Sequence, residues 1–469
     1  MAKIEQLGKP AVFIVAEFFA PDARFNAATE GLTEINLIQL PYPSVPLREE
    51  IEEQNLGATV ADEIVAAFGR KGEGNGEVMR FEESVPTFTG RDYGEAHEAM
   101  ERFFLQHCWS DGYPVVPPTG EAVERMLQGT DLPPEHVVAH IEPKGAAATV
   151  EKIAINAVMA GCRPHYLPVI LAAVEALGDA RFDLRGVQVT AGLTSPLLIL
   201  SGKELISEIN ANDSFSAIGP GWRANSTIGR AIRLVLINVG YSWPGKSDMK
   251  SFGTPFKNVI LLAENELGYE GHWEPLRVAE GFGFDGPTVS AIAAFTWQLE
   301  YLPPEIATSA EMAERLGRQA RVKYDKEAVN WGMNNLVILN PTAFVPLIRE
   351  GMPREAFQKL IYDQAQLPAR EFFMGHEPQA EVGGVPIPQE LVDRAKADPE
   401  APMPLLKDPA SLKVIVAGAP GPAMMAYVST WGWGLSHFVT KPVGLPKDWN
   451  RLLAEDTGWT TPIVRRAKM

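Results

Sequence analysis

Apolar residues in the first 70 positions fall into two short runs, Ala11–Val15 and Ile35–Leu40. Each is followed by a stretch that reads as helix, Ala20–Gly31 and Leu47–Phe68. Pro10 and the Pro41-Tyr42-Pro43 turn bound the runs, and acidic residues early in the second helix with Arg70-Lys71 at its end suit the helix dipole. The order strand, helix, strand, helix predicts part of a parallel, flavodoxin-like layer over residues 1–70. Two strands leave an open parallel edge, and such edges recruit other strands.

Residues 71–92, with Gly72, Gly74 and Gly76 close together, read as a linker or arm. Beyond it, helical spacing recurs over Tyr93–His107, Glu121–Gln128, Thr149–Cys162, Leu167–Leu177, Lys203–Ile209, Ser309–Gln319 and Arg354–Ala365. Strand-like runs are Val137–Ile141, Gly186–Val189, Leu197–Leu200, Val259–Ala263, Thr288–Ala293, Asn335–Leu339 and Leu412–Ala417. Leu391–Pro404 is polar and proline-containing and reads as an excursion. The alternation predicts an α/β fold, with parallel or mixed sheets and helices on both faces. It also predicts a main domain over 93–300 and a second α/β domain over 301–469 packed on it. No internal repeat stands out.

A chain of 469 residues exceeds one ordinary core. Hydrophobic content of 46% with 22% charged residues excludes a disordered chain. The net charge of −17 argues against nucleic acid as a partner. Two cysteines, Cys108 and Cys162, exclude a disulfide framework and CxxC metal sites. No signal peptide and no apolar run near 18 residues is present, so a cytoplasmic protein without membrane partners is expected. The eight histidines are scattered, no metal site is read from them, and no motif identifies a cofactor.

The richest segment is 219–230, Gly-Pro-Gly-Trp-Arg-Ala-Asn-Ser-Thr-Ile-Gly-Arg, which leads into apolar Ala231–Val239. Glycines free the backbone to turn, and Asn225 or Ser226 would cap a helix. A helix start with Arg223 and Arg230 suits a small carboxylate or phosphate. The alternative is a glycine turn before a core helix with solvated arginines. On helix 149–162, Glu151, Ile155, Val158 and Cys162 share one face, with Lys152 and Asn156 on the next. Glu151 and Cys162 stand ~16 Å apart and cannot form a dyad. Cys162 reads equally as a buried apolar residue at a helix stop, and Glu151 with Lys152 as an ion pair. Trp109-Ser110-Asp111-Gly112-Tyr113-Pro114 forms a rigid loop, with Trp109 and Asp111 as a pocket wall or a plain connection. Glu264 and Glu266 follow a strand, where α/β sheets build sites, and could act as acid and base, hold Mg²⁺ or pair with Arg223 and Arg230. Gly418-Ala419-Pro420-Gly421 resembles a phosphate loop only loosely.

The segments WSDGYPVVPPT (109–119), ATVEKIAINAVMAGCRPHYLPVILAAVEAL (148–177), GPGWRANSTIGRAIRLVLINVG (219–240) and AENE (263–266) resemble the long chain or domain associated with the UGSC-type (seleno)protein family. Residues 8–43 resemble the later part of the UGSC domain itself. Glu151, Lys152, Asn156, Cys162, Arg223, Asn225 and Arg230 match the family pattern, whereas His107 and Cys108 stand where it favours a basic residue and glycine. The family's Cys/Sec-Gly-Ser-Cys loop is distantly similar to selenoprotein subunits of glycine and proline reductases. The resemblance therefore implies cleavage of a carbon–heteroatom bond, reductive or eliminative, in a small organic substrate. The redox motif would precede the first strand and has no room after Met1, so it is expected on a partner chain or lost.

These readings combine into one expectation. The chain is an enzyme or enzyme subunit that binds a small anionic organic substrate at 219–230. Trp109, Asp111, Asn156, Arg223, Asn225, Arg230, Glu264 and Glu266 contact the substrate, and Glu151, Lys152 and Cys162 act on it. It assembles as a homo-oligomer or with a small redox subunit. A lyase or hydratase needing no thiol and a non-catalytic scaffold for a redox-active chain are the alternatives.

Overall fold

The computed structural model describes residues 4, 9–29, 32, 35–40, 56–68, 85–219, 222–254, 257–283, 285–303, 308–323, 334–373, 375, 377–382, 385–430 and 436–455. The chain divides into one unit of residues 1–99 with 241–250 and a second of 100–240 with 251–469.

In the first unit β1 (Phe13–Ala16) runs parallel to β2 (Leu37–Leu40), with Phe13 opposite Leu37. Helices α1 (Ala20–Thr29) and α2 (Leu56–Phe68) follow the two strands. The predicted β-α-β-α order is present, but among the described residues no further strand joins the pair, so a flavodoxin-like layer is not established. Residues 47–55 of the predicted second helix and 71–84 of the predicted linker lie outside the described residues.

The second unit opens with α3 (Tyr93–Gln106, its first turns belonging to the first unit), α4 (Gly120–Leu127) and the hairpin β3 (Val137–Ile141) and β4 (Ala146–Thr149). The Thr149 hydroxyl accepts the Lys152 N–H at 3.2 Å and starts α5 (Val150–Met159). Next come α6 (Leu167–Gly178) and β5 (Ser195–Ser201), then α7 (Arg223–Asn238), β6 (Ile260–Ala263) and β7 (Thr288–Tyr301). The second half continues through α8 (Ser309–Lys323), β8 (Asn335–Leu339), α9 (Pro341–Glu350), α10 (Arg354–Gln364), α11 (Gln389–Ala397), β9 (Leu412–Val416), β10 (Met424–Thr430) and β11 (Val439–Pro442).

The seven strands β5 to β11 make one mixed sheet in the order β9-β8-β10-β7-β5-β6, with β11 continuing alongside β7 next to β10. β5 and β6 are parallel, and β7 returns antiparallel beside β5. β8 and β9 are likewise parallel, and β10 returns antiparallel beside β8. The two halves thus repeat one topology about an axis between β7 and β10, a repeat invisible in the sequence. The outer strands approach each other where β6 ends: the Asn265 N–H donates to the Val416 carbonyl at 2.8 Å. Alternate residues from β5 to β10 converge in one buried cluster that includes Ile199, Leu262, Ile292, Ile338, Ile415 and Val428, so the sheet curls around this core. The opposite face of β8, β9 and β10 packs Val337, Val414 and Tyr427 against Phe344 of α9 and Phe357 of α10.

Three expectations are corrected. Gly186–Val189 is helical within Leu184–Val189, because Asp183 adopts φ +52° and its carboxylate accepts the Gly186 N–H. Leu391–Pro404 contains most of α11 and a short strand at Pro402–Pro404. The boundary expected near residue 300 falls at the end of β7, inside a single sheet.

Candidate functional site

Three segments that are distant in sequence meet where α5 and α7 pack together. Helix α7 begins at Arg223, with Trp222 as a cap residue that makes no side-chain cap bond. The expected cap at Asn225 is therefore corrected: Asn225 lies within the first turns. It is 1% exposed. Its Oδ1 accepts the Asn212 N–H at 2.8 Å, and its Nδ2 donates to the carbonyls of Asn212 and Leu261 at 3.1 Å each. These bonds tie the loop before α7 to strand β6. Pro220 and Gly221 lie outside the described residues.

Arg223 reaches across to the end of α5, where its Nε and Nη2 donate to the Gly161 carbonyl at 3.2 and 3.0 Å. A guanidinium at exposed terminal carbonyls satisfies the helix end and its negative dipole. Gly161 takes φ +82°, and Cys162 follows, buried. Burial pushes the Cys162 thiol up to about 12, with Thr227, Arg223 and Arg230 opposing the shift. The thiol is therefore neutral at physiological pH.

The loop 109–116 runs along α7. Arg230 and Asp111 form a two-pronged ion pair, Nε to Oδ2 at 2.9 Å and Nη2 to Oδ1 at 2.8 Å, and Nη2 also donates to the Tyr113 carbonyl at 3.1 Å. The guanidinium lies 5.7 Å from the centre of the Tyr113 ring. Two turns further on, Asn238 Nδ2 donates to the Trp109 carbonyl at 3.1 Å and to Asn156 Oδ1 at 2.6 Å. Asn156 closes the link to α5 by donating to the Lys152 carbonyl. Val116 N–H donates to the Met159 carbonyl at 3.1 Å. The Trp109 ring packs edge-on against Phe103 and Phe104.

The structure thus strings these residues along the α5–α7 seam, with Cys162 at the Arg223 end, Asp111 at Arg230, and Trp109 and Asn156 at the Asn238 end. Glu151 and Lys152 stand exposed on the first turn of α5, at the opposite end from Cys162, with Lys152 Nζ 3.3 Å from the Ala147 carbonyl. The expected pairing of Glu264 and Glu266 with Arg223 and Arg230 does not occur. Glu264 is fully buried, accepting from the Tyr269 hydroxyl at 2.7 Å and from the Leu276 N–H at 3.0 Å. Burial raises its carboxyl above the usual range, with Glu266 adding to the shift and Ser201 and Tyr269 opposing it. Glu266 accepts the Gly202 N–H at 2.6 Å and pairs with Arg277. Both acids serve the end of β6 rather than the arginines of α7. Gly418 joins that end too, its carbonyl accepting from Asn265 Nδ2 at 2.8 Å.

Sequence reasoning gave no site role to four nearby groups. Arg233 is buried on α7 within reach of the Asp111 charge, and burial lowers it to about 10. Lys257 is lowered to about 7, first by burial and then by Arg233. Arg163 is lowered by burial and by the charges of Arg223 and Arg125. Thr227 shares a hydrogen bond with Cys162. A third arginine in the apolar helix was a readable signal for Arg233, whereas nothing near Lys257 marked it.

Among the described residues no three His, Cys, Asp or Glu side chains group to hold a metal ion, and no helix is long and apolar enough to cross a membrane. No protein-family model and no curated protein matches the chain.

Proposed function

We propose that the α5–α7 junction binds a small organic anion and that the chain is an enzyme, or a subunit of one, that acts on it. The observation that carries this reading is the convergence of loop 109–116, the Gly161–Cys162 end of α5 and the arginine-bearing start of α7. Those are also the segments that carry the resemblance to the UGSC-type family, which adds carbon–heteroatom bond cleavage as the reaction class. Arg223 supplies an exposed guanidinium, and Arg230, braced by Asp111, holds the wall of the site.

A buried, neutral Cys162 favours the version in which this thiol contributes no thiolate to the site. Cleavage is then eliminative, or the reducing thiol or selenol arrives on a partner chain. A lyase or hydratase is the nearest alternative and shares the same anion site.

Isothermal titration with short-chain mono- and dicarboxylates tests the reading. Wild type should bind at least one, and Arg223→Met should weaken it at least tenfold, the loss of ~1.5–3 kcal/mol expected for a charge-assisted hydrogen bond. Arg223 is the better probe, because replacing Arg230 would also release the 109–113 loop. Absence of carboxylate binding, or equal affinity in the variant with its fold intact, refutes the site.

A further inference from the structure

A cavity of about 580 Å³ opens in the second unit between Tyr301 and Pro303 at the end of β7, Thr342 at the start of α9, and Gly421, Pro422 and Ala423 ahead of β10. That volume suits one small organic molecule, for which pockets of roughly 300–1,000 Å³ are usual. The walls are tied to one another. Gly421 N–H donates to Thr342 Oγ1 at 3.0 Å, and Leu302 N–H donates to the Ala423 carbonyl at 2.9 Å. Asn340 Nδ2 donates to the Pro422 carbonyl at 2.8 Å, and its Oδ1 accepts the Met424 N–H at 3.1 Å. The fold does not require such an opening. In the first half of the repeated topology Val443 N–H donates to the Pro287 carbonyl ahead of β7, as Leu302 does to Ala423 ahead of β10. There Gly202, which follows β5, packs so closely on Pro287 that a Cβ would stand 2.7 Å from the proline Cβ.

We infer that this cavity binds a neutral, planar, largely apolar molecule that carries one hydrogen-bond acceptor, such as a ketone or ether oxygen. Among the described residues no charged side chain lines it. Glu300, the neighbour of Tyr301, is engaged elsewhere, accepting from Arg315 and Gln319 of α8 at 2.6 and 2.9 Å. An ion entering the cavity would therefore shed water without meeting a counter-charge. The Tyr301 ring is 65% exposed and offers a flat face for stacking, with Pro303 and Pro422 as rigid apolar flanks. Thr342 supplies the polar contact: its oxygen accepts from Gly421, which leaves the hydroxyl proton to donate to a ligand. Walls pinned by hydrogen bonds and prolines lose little freedom when a ligand enters. Seven residues line the cavity, against roughly 20–30 a side in a stable protein interface, and this assigns it to a small molecule rather than to a second copy of the chain. The inference is independent of the anion site at the α5–α7 junction.

The test is fluorescence titration of the full chain with prodan, a neutral naphthalene ketone whose emission shifts to the blue in apolar surroundings. Wild type should bind it saturably, and 2-acetylnaphthalene should displace it at least tenfold better than naphthalene-2-carboxylate, which has the same shape and a charge. Tyr301→Ala should weaken prodan binding roughly fivefold, the scale of one aromatic contact. A Cβ on Gly421 meets no atom within 4 Å, so Gly421→Phe is accommodated by the backbone and should fill the cavity, weakening binding at least tenfold. Thr342→Val should lose affinity that Thr342→Ser keeps. Circular dichroism should show each variant folded, and the isothermal titration with carboxylates should be unchanged by Tyr301→Ala. Absence of saturable prodan binding would overturn the inference, as would equal displacement by the carboxylate. Binding indifferent to both Tyr301→Ala and Gly421→Phe would place prodan elsewhere and overturn it too. Prodan binding that appears only as a dimer is diluted would assign the cavity to a second copy, again against the inference.

Discussion

At the scale of single residues, the junction shows how a side chain's neighbours reassign its role. Asn225 and Asn156 both match the pattern of the resemblance, yet their amides are spent on the chain's own backbone and on Asn238. Buried amides are kept where each polar atom has a partner, so these two fix helix positions. Cys162 carries the sharpest prediction. Its thiol lies well above its ordinary value because burial opposes the charged form. Alkylation by iodoacetamide should therefore be slow at pH 7.5, at least tenfold behind Cys108, which is only half-buried. The sign for stability follows. A group whose folded value is raised stabilises the fold while it remains neutral, and that contribution fades as pH climbs from about 9 towards 12. Wild type should lose Tm faster than Cys162→Ala over that window. Rapid alkylation that leaves the fold intact and abolishes ligand binding would reinstate Cys162 as an active thiol.

At the scale of elements, legibility followed the kind of signal each element carries. Val137–Ile141 and Asn335–Leu339 match the sequence reading residue for residue, because apolar runs with turn residues at both ends leave little choice. Helix α5 is signalled by Thr149, whose hydroxyl caps it. Strand β10, Met424–Thr430, gave no such signal: its alternate residues enter two different cores, so no polar period marks it. Helix α9 has its signal at Asn340-Pro341, directly after the strand run Asn335–Leu339, where Asn340 accepts the Ala343 N–H and caps the helix that follows. The site was legible as segments, but its wiring was not, because Asp111 and Arg230 are 119 residues apart. Packing of α7 on β6 yields a further prediction. A Cβ on Gly229 would stand 1.8 Å from the Val259 carbonyl oxygen, a backbone atom that cannot step aside. Gly229→Ala should destabilise the protein by ~2 kcal/mol or more, an overpacking cost. Chemical denaturation measures it, and a loss under 0.5 kcal/mol would show that α7 is free to lift from β6.

At the scale of the whole second unit, the sheet overrides the division that the sequence suggested. Residues 93–300 and 301–469 each carry enough alternating strands and helices to look like α/β domains. The deciding element is β7, which spans fourteen residues, Thr288–Tyr301. Its first half pairs with β5 and β11, and its second half pairs with β10 from Met424↔Tyr301 onward. Each half of the repeated topology therefore exposes an apolar strand edge and half of a shared core when taken alone. The residues around Ile199 and Ile292 in one half and Ile338 and Val428 in the other belong to a single buried cluster. Unpaired edges of this kind aggregate, and half a core leaves apolar surface in water. A chain divided after Glu300 should consequently give two fragments that are insoluble or lack fixed tertiary structure when produced separately. Co-expression should recover a soluble complex whose near-UV circular dichroism matches the intact protein. Either fragment folding alone, with a cooperative melt and a native-like near-UV spectrum, would mean that β7 bridges two independent domains and that the shared core is dispensable.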